Sequence, residues 1–179
     1  MEGTVPDAIV RQTSGDPVGA IAQRWRQIRP DLDPSPLLVI GRISRIAALV
    51  DMRLRPPFAA AGLASGDYDL LAALRRQDPP HELSPGELSA AMLVTTGATT
   101  KRIDRLEEQG LCARRVAAAD GRGRIVALTR AGRTLVDKLM PIHLANEARL
   151  LAALSPNQRD QLARLLSHLL RALQPPDVA

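Results

Sequence analysis

Apolar residues recur at three- and four-residue spacing through most of the chain, the period of a helix with one buried face. Asp16-Pro17 has the form of an N-cap followed by proline in the first turn, and Ile21, Trp25 and Ile28 then mark one side of a helix that Pro30 ends. Ser35-Pro36 repeats this start for a longer helix to about Arg55. Its apolar positions are Leu38, Ile43, Ile46, Leu49 and Val50, and Pro56-Pro57 is its expected stop. Tyr68 to Gln77 reads as a short helix ahead of Asp78-Pro79-Pro80. Ser84-Pro85-Gly86-Glu87 is a capping box, in which hydroxyl and carboxylate each satisfy a free backbone N–H, and the helix it opens ends near Met92. Thr95 caps a second helix with Ile103 and Leu106 as its buried stripe and Gly110 as its end. Two helices joined by so short a turn form a helix-turn-helix.

The pattern then changes. Leu111 to Ala118 and Arg124 to Leu128 read as strands, and Ala119-Asp120-Gly121-Arg122-Gly123 between them is a turn sequence, so a hairpin wing follows the second helix. Thr129 caps a long helix that Pro141 should kink, and Ser155-Pro156-Asn157-Gln158 is a capping box ahead of a last amphipathic helix, Gln161 to Leu173. The expected fold is mainly α with a small β-wing: a winged helix-turn-helix whose N- and C-terminal helices form a dimerisation region. The expected segments are a flexible terminus over 1–14, N-terminal helices over 15–60 (an extra helix about 16–29 and a dimerisation helix about 36–55), a DNA-binding region over 61–133 and C-terminal dimerisation helices over 134–179. Leu-rich faces on the last two helices exceed what so small a wing domain needs to cover itself, and a homodimer accounts for them.

Composition sharpens this picture in two places. Aromatic residues make up 2% of the 179, so the core is aliphatic, which favours helices. The net charge of +5 is concentrated: residues 95–133 carry nine Lys/Arg against four Asp/Glu, while both flanking regions are nearly neutral. A focused basic region is the electrostatic footprint of a nucleic-acid reader. Cys112 is the only cysteine, which excludes an intramolecular disulfide framework and a Cys-rich metal site. The N-terminus lacks the basic and apolar regions of a secretory signal, and the longest stretch free of Asp, Glu, Lys and Arg, Leu88 to Thr100, is too short and polar to span a bilayer. The sequence therefore reads as soluble and cytoplasmic, without membrane, metal or cofactor. His81, His143 and His168 are scattered and no nucleophile or phosphate-loop motif occurs, so no enzyme is expected.

The chemistry that remains lies on the second helix of the pair and on the wing. Thr95, Thr96, Thr100, Lys101 and Arg105 place short hydroxyls and cations on and before that helix, as phosphate contact and major-groove readout require. Arg122 and Arg124 flank the hairpin tip, where a guanidinium can pair a phosphate or enter a minor groove. A solvated helix face and a solvated tip are the plainer readings of each alone; the two together favour binding to double-stranded DNA. A regulator answering to oxidation at Cys112 or to a phenolic ligand, and a dimeric interaction module that binds no DNA, are the alternatives. Operator binding, and its reversal by ligand or by peroxide, separate them.

The run LSPGELSAAMLVTTGATTKRIDRLEEQGLCARR, followed by DGRGRIVALTRAGRTLV, resembles the winged helix-turn-helix core of the MarR family of transcriptional regulators. Asp120 and Arg122 match that family's wing signature, and Leu128, Thr129 and Gly132 its strand-to-helix junction. The resemblance covers roughly residues 35–173 and implies a homodimer that binds pseudo-palindromic operators and is released by small ligands. RWRQIRPDLDPSP in the extra helix, with Tyr68-Asp69-Leu70-Leu71 and Lys101-Arg102-Ile103, is similar to the urate-responsive PecS/HucR branch. The branch implies an effector site of Trp25, Asp69, Arg102 and Arg114, taking a small anion such as urate or a related purine. It also implies an Asp69–Arg102 ion pair that holds the recognition helix until the anion competes for it. Ala117-Ala118-Ala119, Gly121, Thr99 and Lys101 depart from common family residues and bear on operator sequence.

Overall fold

The computed structural model describes residues 15–92, 94–116 and 124–174. The wing tip, with Asp120 and Arg122, and the terminus over 1–14 lie outside the described residues. The chain forms two compact units, residues 1–53 and 54–179.

In the first unit, α1 (Pro17–Ile28) and the start of α2 (Ser35–Ala60) are joined by a proline-punctuated turn. Asp16 organises both helices. Its Oδ1 accepts the Val18 and Gly19 N–H groups, capping α1, and its Oδ2 accepts Arg42 Nη2 of α2 at 2.8 Å. These bonds hold its carboxyl below the ordinary carboxylate pKa. The helices meet through Ala22 and Leu38, and Gly41 lets Val18 approach so closely that a Cβ would collide with its methyl. Ile21, Trp25 and Ile28 lie on the other side of α1, exposed among the described residues.

The second unit contains the end of α2, α3 (Asp67–Arg75), β1 (Glu82–Leu83), α4 (Pro85–Met92), α5 (Thr96–Glu108), β2 (Cys112–Val116), β3 (Arg124–Leu128), α6 (Arg130–Leu150) and α7 (Pro156–Leu173). Its core is aliphatic. Leu70, Leu71 and Leu74 of α3 pack with Leu88 of α4, Ile103 and Leu106 of α5 and Val126 of β3, all fully buried. The sheet is antiparallel in the order β1-β3-β2, with Cys112 opposite Leu128 and Val116 opposite Arg124. The two-residue β1, which the sequence reading lacks, pairs Glu82 with Ala127 and Leu83 with Val126, and Glu82 forms an ion pair with Arg115 of β2. Gly132 seals α6 against the wing base, since a Cβ there would strike the Leu111 carbonyl oxygen.

The capping signals fall where the sequence places them: Ser84 with Glu87, Thr95, Thr129, and Ser155 with Gln158. One stop signal does not hold. α2 continues through Pro56 and Pro57 to Ala60. The two prolines remove the N–H donors that the Met52 and Arg53 carbonyls would otherwise receive, and both residues lie on the exposed side of the helix, where solvent can take the donors' place. The final turn is held from outside, because the Phe58 ring stacks on Tyr68 at 4.3 Å and both rings tilt against His143. α6 contains Pro141, the position of the expected kink, within its span.

Candidate nucleic-acid interface and effector residues

The turn between α4 and α5 is fixed by hydroxyls. Thr99 is fully buried; its hydroxyl donates to the Thr95 carbonyl oxygen and lies 2.9 Å from the Ser89 hydroxyl of α4. Ile103 and Leu106 bury the same face of α5 one and two turns later. The opposite face, with Thr96, Thr100 and Lys101, is exposed. Thr95 caps the helix by accepting the Ala98 N–H, and the first turn holds no acidic residue. An anion therefore meets the positive end of a helix, two hydroxyls and an ammonium group, with no carboxylate in the first turn. Arg124 is exposed at the wing end of β3; Arg122 lies outside the described residues.

Arg105, at the far end of α5, is committed elsewhere. It forms a two-pronged ion pair with Asp67 at the start of α3, with Nε at 2.9 Å from Oδ2 and Nη2 on Oδ1. Asp67 is completely buried and also accepts the Ala64 N–H at 2.8 Å. The carboxylate raises the pKa of Arg105 above its ordinary value, keeping the cation locked in place. Gly66, one residue earlier, has φ +78°, and a Cβ there would collide with the guanidinium of Arg102. Two arginines of the recognition helix thus clasp one corner of the scaffold.

That corner alters the picture of the effector residues. Asp69 is exposed and forms no ion pair with Arg102; the scaffold carboxylate that grips the recognition helix is Asp67, and its partner is Arg105. Asp67 occupies the first position of α3, where its carboxylate faces back toward the preceding turn and α5, whereas Asp69 falls on the solvent side. Arg102 lies over Gly66, its Nη1 3.8 Å from Met92 Sδ. Arg114 of β2 is doubly paired on α5: Nη2 with Asp104, and Nη1 at 2.5 Å from Glu107, which also accepts the Arg114 N–H at 2.7 Å. That backbone bond, with the Arg114 side chain, lowers the Glu107 pKa. Trp25 belongs to the first unit, where its half-exposed indole lines a cavity of about 450 Å³ with Arg29, Leu32, Asp33 and Pro34 of the α1–α2 turn and Pro36 and Leu37 at the start of α2. Arg29 is paired with Asp31 at its edge.

Asp67, Gly66 and Glu107 escape the sequence reading because their roles depend on partners 38, 36 and 7 residues away and belong to no local motif. Cys112 is buried beneath the wing, and burial pushes its thiol up to about 12, so at neutral pH it is not a thiolate. No group of metal-ligating residues occurs among the described residues.

Comparison with known proteins agrees with this architecture. Residues 61–123 match the sequence profile of the MarR family. The chain is 36% identical to the HTH-type transcriptional regulator PecS of Dickeya dadantii over 83% of its own length and 90% of that protein. It is 33% identical to the HTH-type transcriptional repressor Rv2887 of Mycobacterium tuberculosis, over 65% of this chain and 84% of the other. Sco3205, a MarR family transcriptional regulator from Streptomyces coelicolor solved in complex with DNA, superposes with a TM-score of 0.74 at 25% identity, over 82% of this chain and 92% of that one. With the capped recognition helix, the three-stranded wing base and these likenesses together, the chain belongs to the MarR family of DNA-binding transcriptional regulators.

Proposed function

We propose that the protein is a homodimeric repressor that binds pseudo-palindromic duplex DNA and is released by a small planar anion such as urate. The observation that carries the DNA reading is the exposed first half of α5, where Thr96, Thr100 and Lys101 flank a helix start capped by Thr95 and free of acidic residues. Arg124, and Arg122 at the wing tip, add phosphate contacts. Arg105 acts on DNA through its hold on α5, because its guanidinium is tied to Asp67. The dimer is supported by apolar side chains left uncovered on α1, α2 and α7, among them Ile46, Leu165 and Leu170. Repression is supported by the relative named a repressor.

For the effector, Trp25 offers an indole face beside a cavity, suited to stacking a flat ring. Asp69, Arg102 and Arg114 are the remaining effector residues in this reading. Arg102 and Arg114 each bind α5 to its surroundings, so an anion drawing either guanidinium away would be felt by the recognition helix. The test is fluorescence anisotropy of DNA from immediately upstream of the coding sequence, titrated with protein and then with urate. Urate should release the DNA, Lys101→Ala should weaken binding and lower the log–log salt slope by about 0.9, and urate should saturably quench the single tryptophan beyond a free-tryptophan control. Binding that ignores salt would overturn the DNA reading, and unchanged binding in saturating urate the effector reading.

A further inference from the structure

Outside the recognition helix and the Trp25 cavity, the second unit contains a recess of about 300 Å³ lined by Pro79, Pro80, His81, Leu128, Thr129, Arg130 and Arg133. It lies at the Leu128 end of β3, roughly 13 Å along the strand from Arg124 at the wing end. Its charge is one-sided. Arg130 and Arg133 stand in the first turn of α6, a turn with no acidic residue, where the helix dipole already disfavours cations. Neither guanidinium has a carboxylate partner among the described residues, whereas Arg75, Arg105, Arg114 and Arg115 of the same unit are all paired.

The facing wall is held in an uncommon conformation. His81 has φ 62°, a left-handed value that a side-chain-bearing residue seldom adopts. Its carbonyl oxygen accepts the Leu128 N–H at 3.1 Å, and its Nδ1 is 2.6 Å from the Gln77 carbonyl oxygen. That carbonyl can only accept, so Nδ1 carries the proton and Nε2 is left without a partner among the described residues. The recess thus brings two arginines without a carboxylate partner and an unpartnered imidazole nitrogen onto one concave surface, and no residue of its lining is acidic.

We propose that this recess is a binding site for a tetrahedral oxyanion of the phosphate class, with Arg130 and Arg133 as the charged donors and His81 as the orienting wall. The anion has two sources of the same chemistry, a free phosphate or phosphate monoester and a phosphodiester of bound DNA.

The test uses full-length protein and inorganic phosphate, titrated by calorimetry at an ionic strength held constant with chloride. The wild type should bind saturably. R130Q/R133Q should bind at least about tenfold more weakly, the loss of one or more charge-assisted hydrogen bonds, with its circular dichroism unchanged. R164Q, which removes an exposed arginine of α7, should bind as the wild type does. The single variants R130Q and R133Q, each keeping one guanidinium, should fall between wild type and double variant. Equal phosphate affinity in wild type and R130Q/R133Q, or an equal loss in R164Q, would overturn the proposal. The source is then read from the salt dependence of binding to the upstream duplex: a log–log slope shallower by about 1–2 in R130Q/R133Q assigns the recess to the DNA backbone, and an unchanged slope assigns it to a free anion.

Discussion

Cutting the Asp67–Arg105 pair from each side should give unequal losses, and the inequality follows from burial. The Asp67 carboxylate is fully buried, whereas the Arg105 side chain is 37% exposed. In Asp67→Ala the freed guanidinium can turn into water, so the loss is the hydrogen bond from the Ala64 N–H and one screened ion pair, about 2 kcal/mol in all. In Arg105→Met the aliphatic stem still packs, but a carboxylate without access to water keeps only the Ala64 N–H as a partner. Stranding a buried charge costs about 3–4 kcal/mol. For a chain of this size the corresponding drops in Tm are roughly 5 and 10 °C. The double variant should be more stable than Arg105→Met alone, because removing the stranded carboxylate restores part of what its partner's loss took away. Thermal unfolding followed by circular dichroism, at one fixed protein concentration, gives all three values and their coupling energy. If Asp67→Ala is as damaging as Arg105→Met, or the coupling energy is under about 0.5 kcal/mol, the pair does not join α5 to α3 as described.

Acid should weaken the fold through Asp16, Glu87 and Glu107, whose pKa values are lowered by the backbone and side-chain donors they accept from. Their contribution is complete above about pH 4–5 and is lost as pH falls through the depressed folded-state values, so Tm measured against pH should decline there; a Tm that rises on acidification would contradict this. Gly132→Ala should cost about 3 kcal/mol in chemical denaturation, because its Cβ meets the backbone oxygen of Leu111, which cannot step aside as a side chain could; wild-type stability would show that α6 is not seated on the wing base. Cys112 should resist a thiol reagent in the native protein and react fully once denatured, and rapid native labelling would contradict its burial.

What was legible in the sequence was local. Caps such as Ser84 with Glu87, and Ser155 with Gln158, join residues three apart, so the pattern and the bond are the same event. The period of Ile103 and Leu106 likewise fixed which face of α5 is buried. Pro56-Pro57 misled because the propensity of a dipeptide carries no record of Phe58 stacking on Tyr68. β1 is too short for any alternation to develop and exists because β3 offers it a partner. At the proposed effector residues, the sequence supplied two aspartates at the start of α3, and only packing decides that Asp67 turns inward to Arg105 while Asp69 remains outside.

The scarcity of aromatic residues gives this protein two separate optical reporters. Its single tryptophan, Trp25, stands half-exposed in the unit formed by residues 1–53, and its single tyrosine, Tyr68, is stacked on Phe58 within residues 54–179. Indole emission therefore follows the first unit, and the near-ultraviolet dichroism of an immobilised phenol follows the second. The emission arises from one known ring and the dichroism from Tyr68 together with the indole, so a change in dichroism without a change in indole emission reports the second unit in the unmodified chain, without a label or an engineered probe.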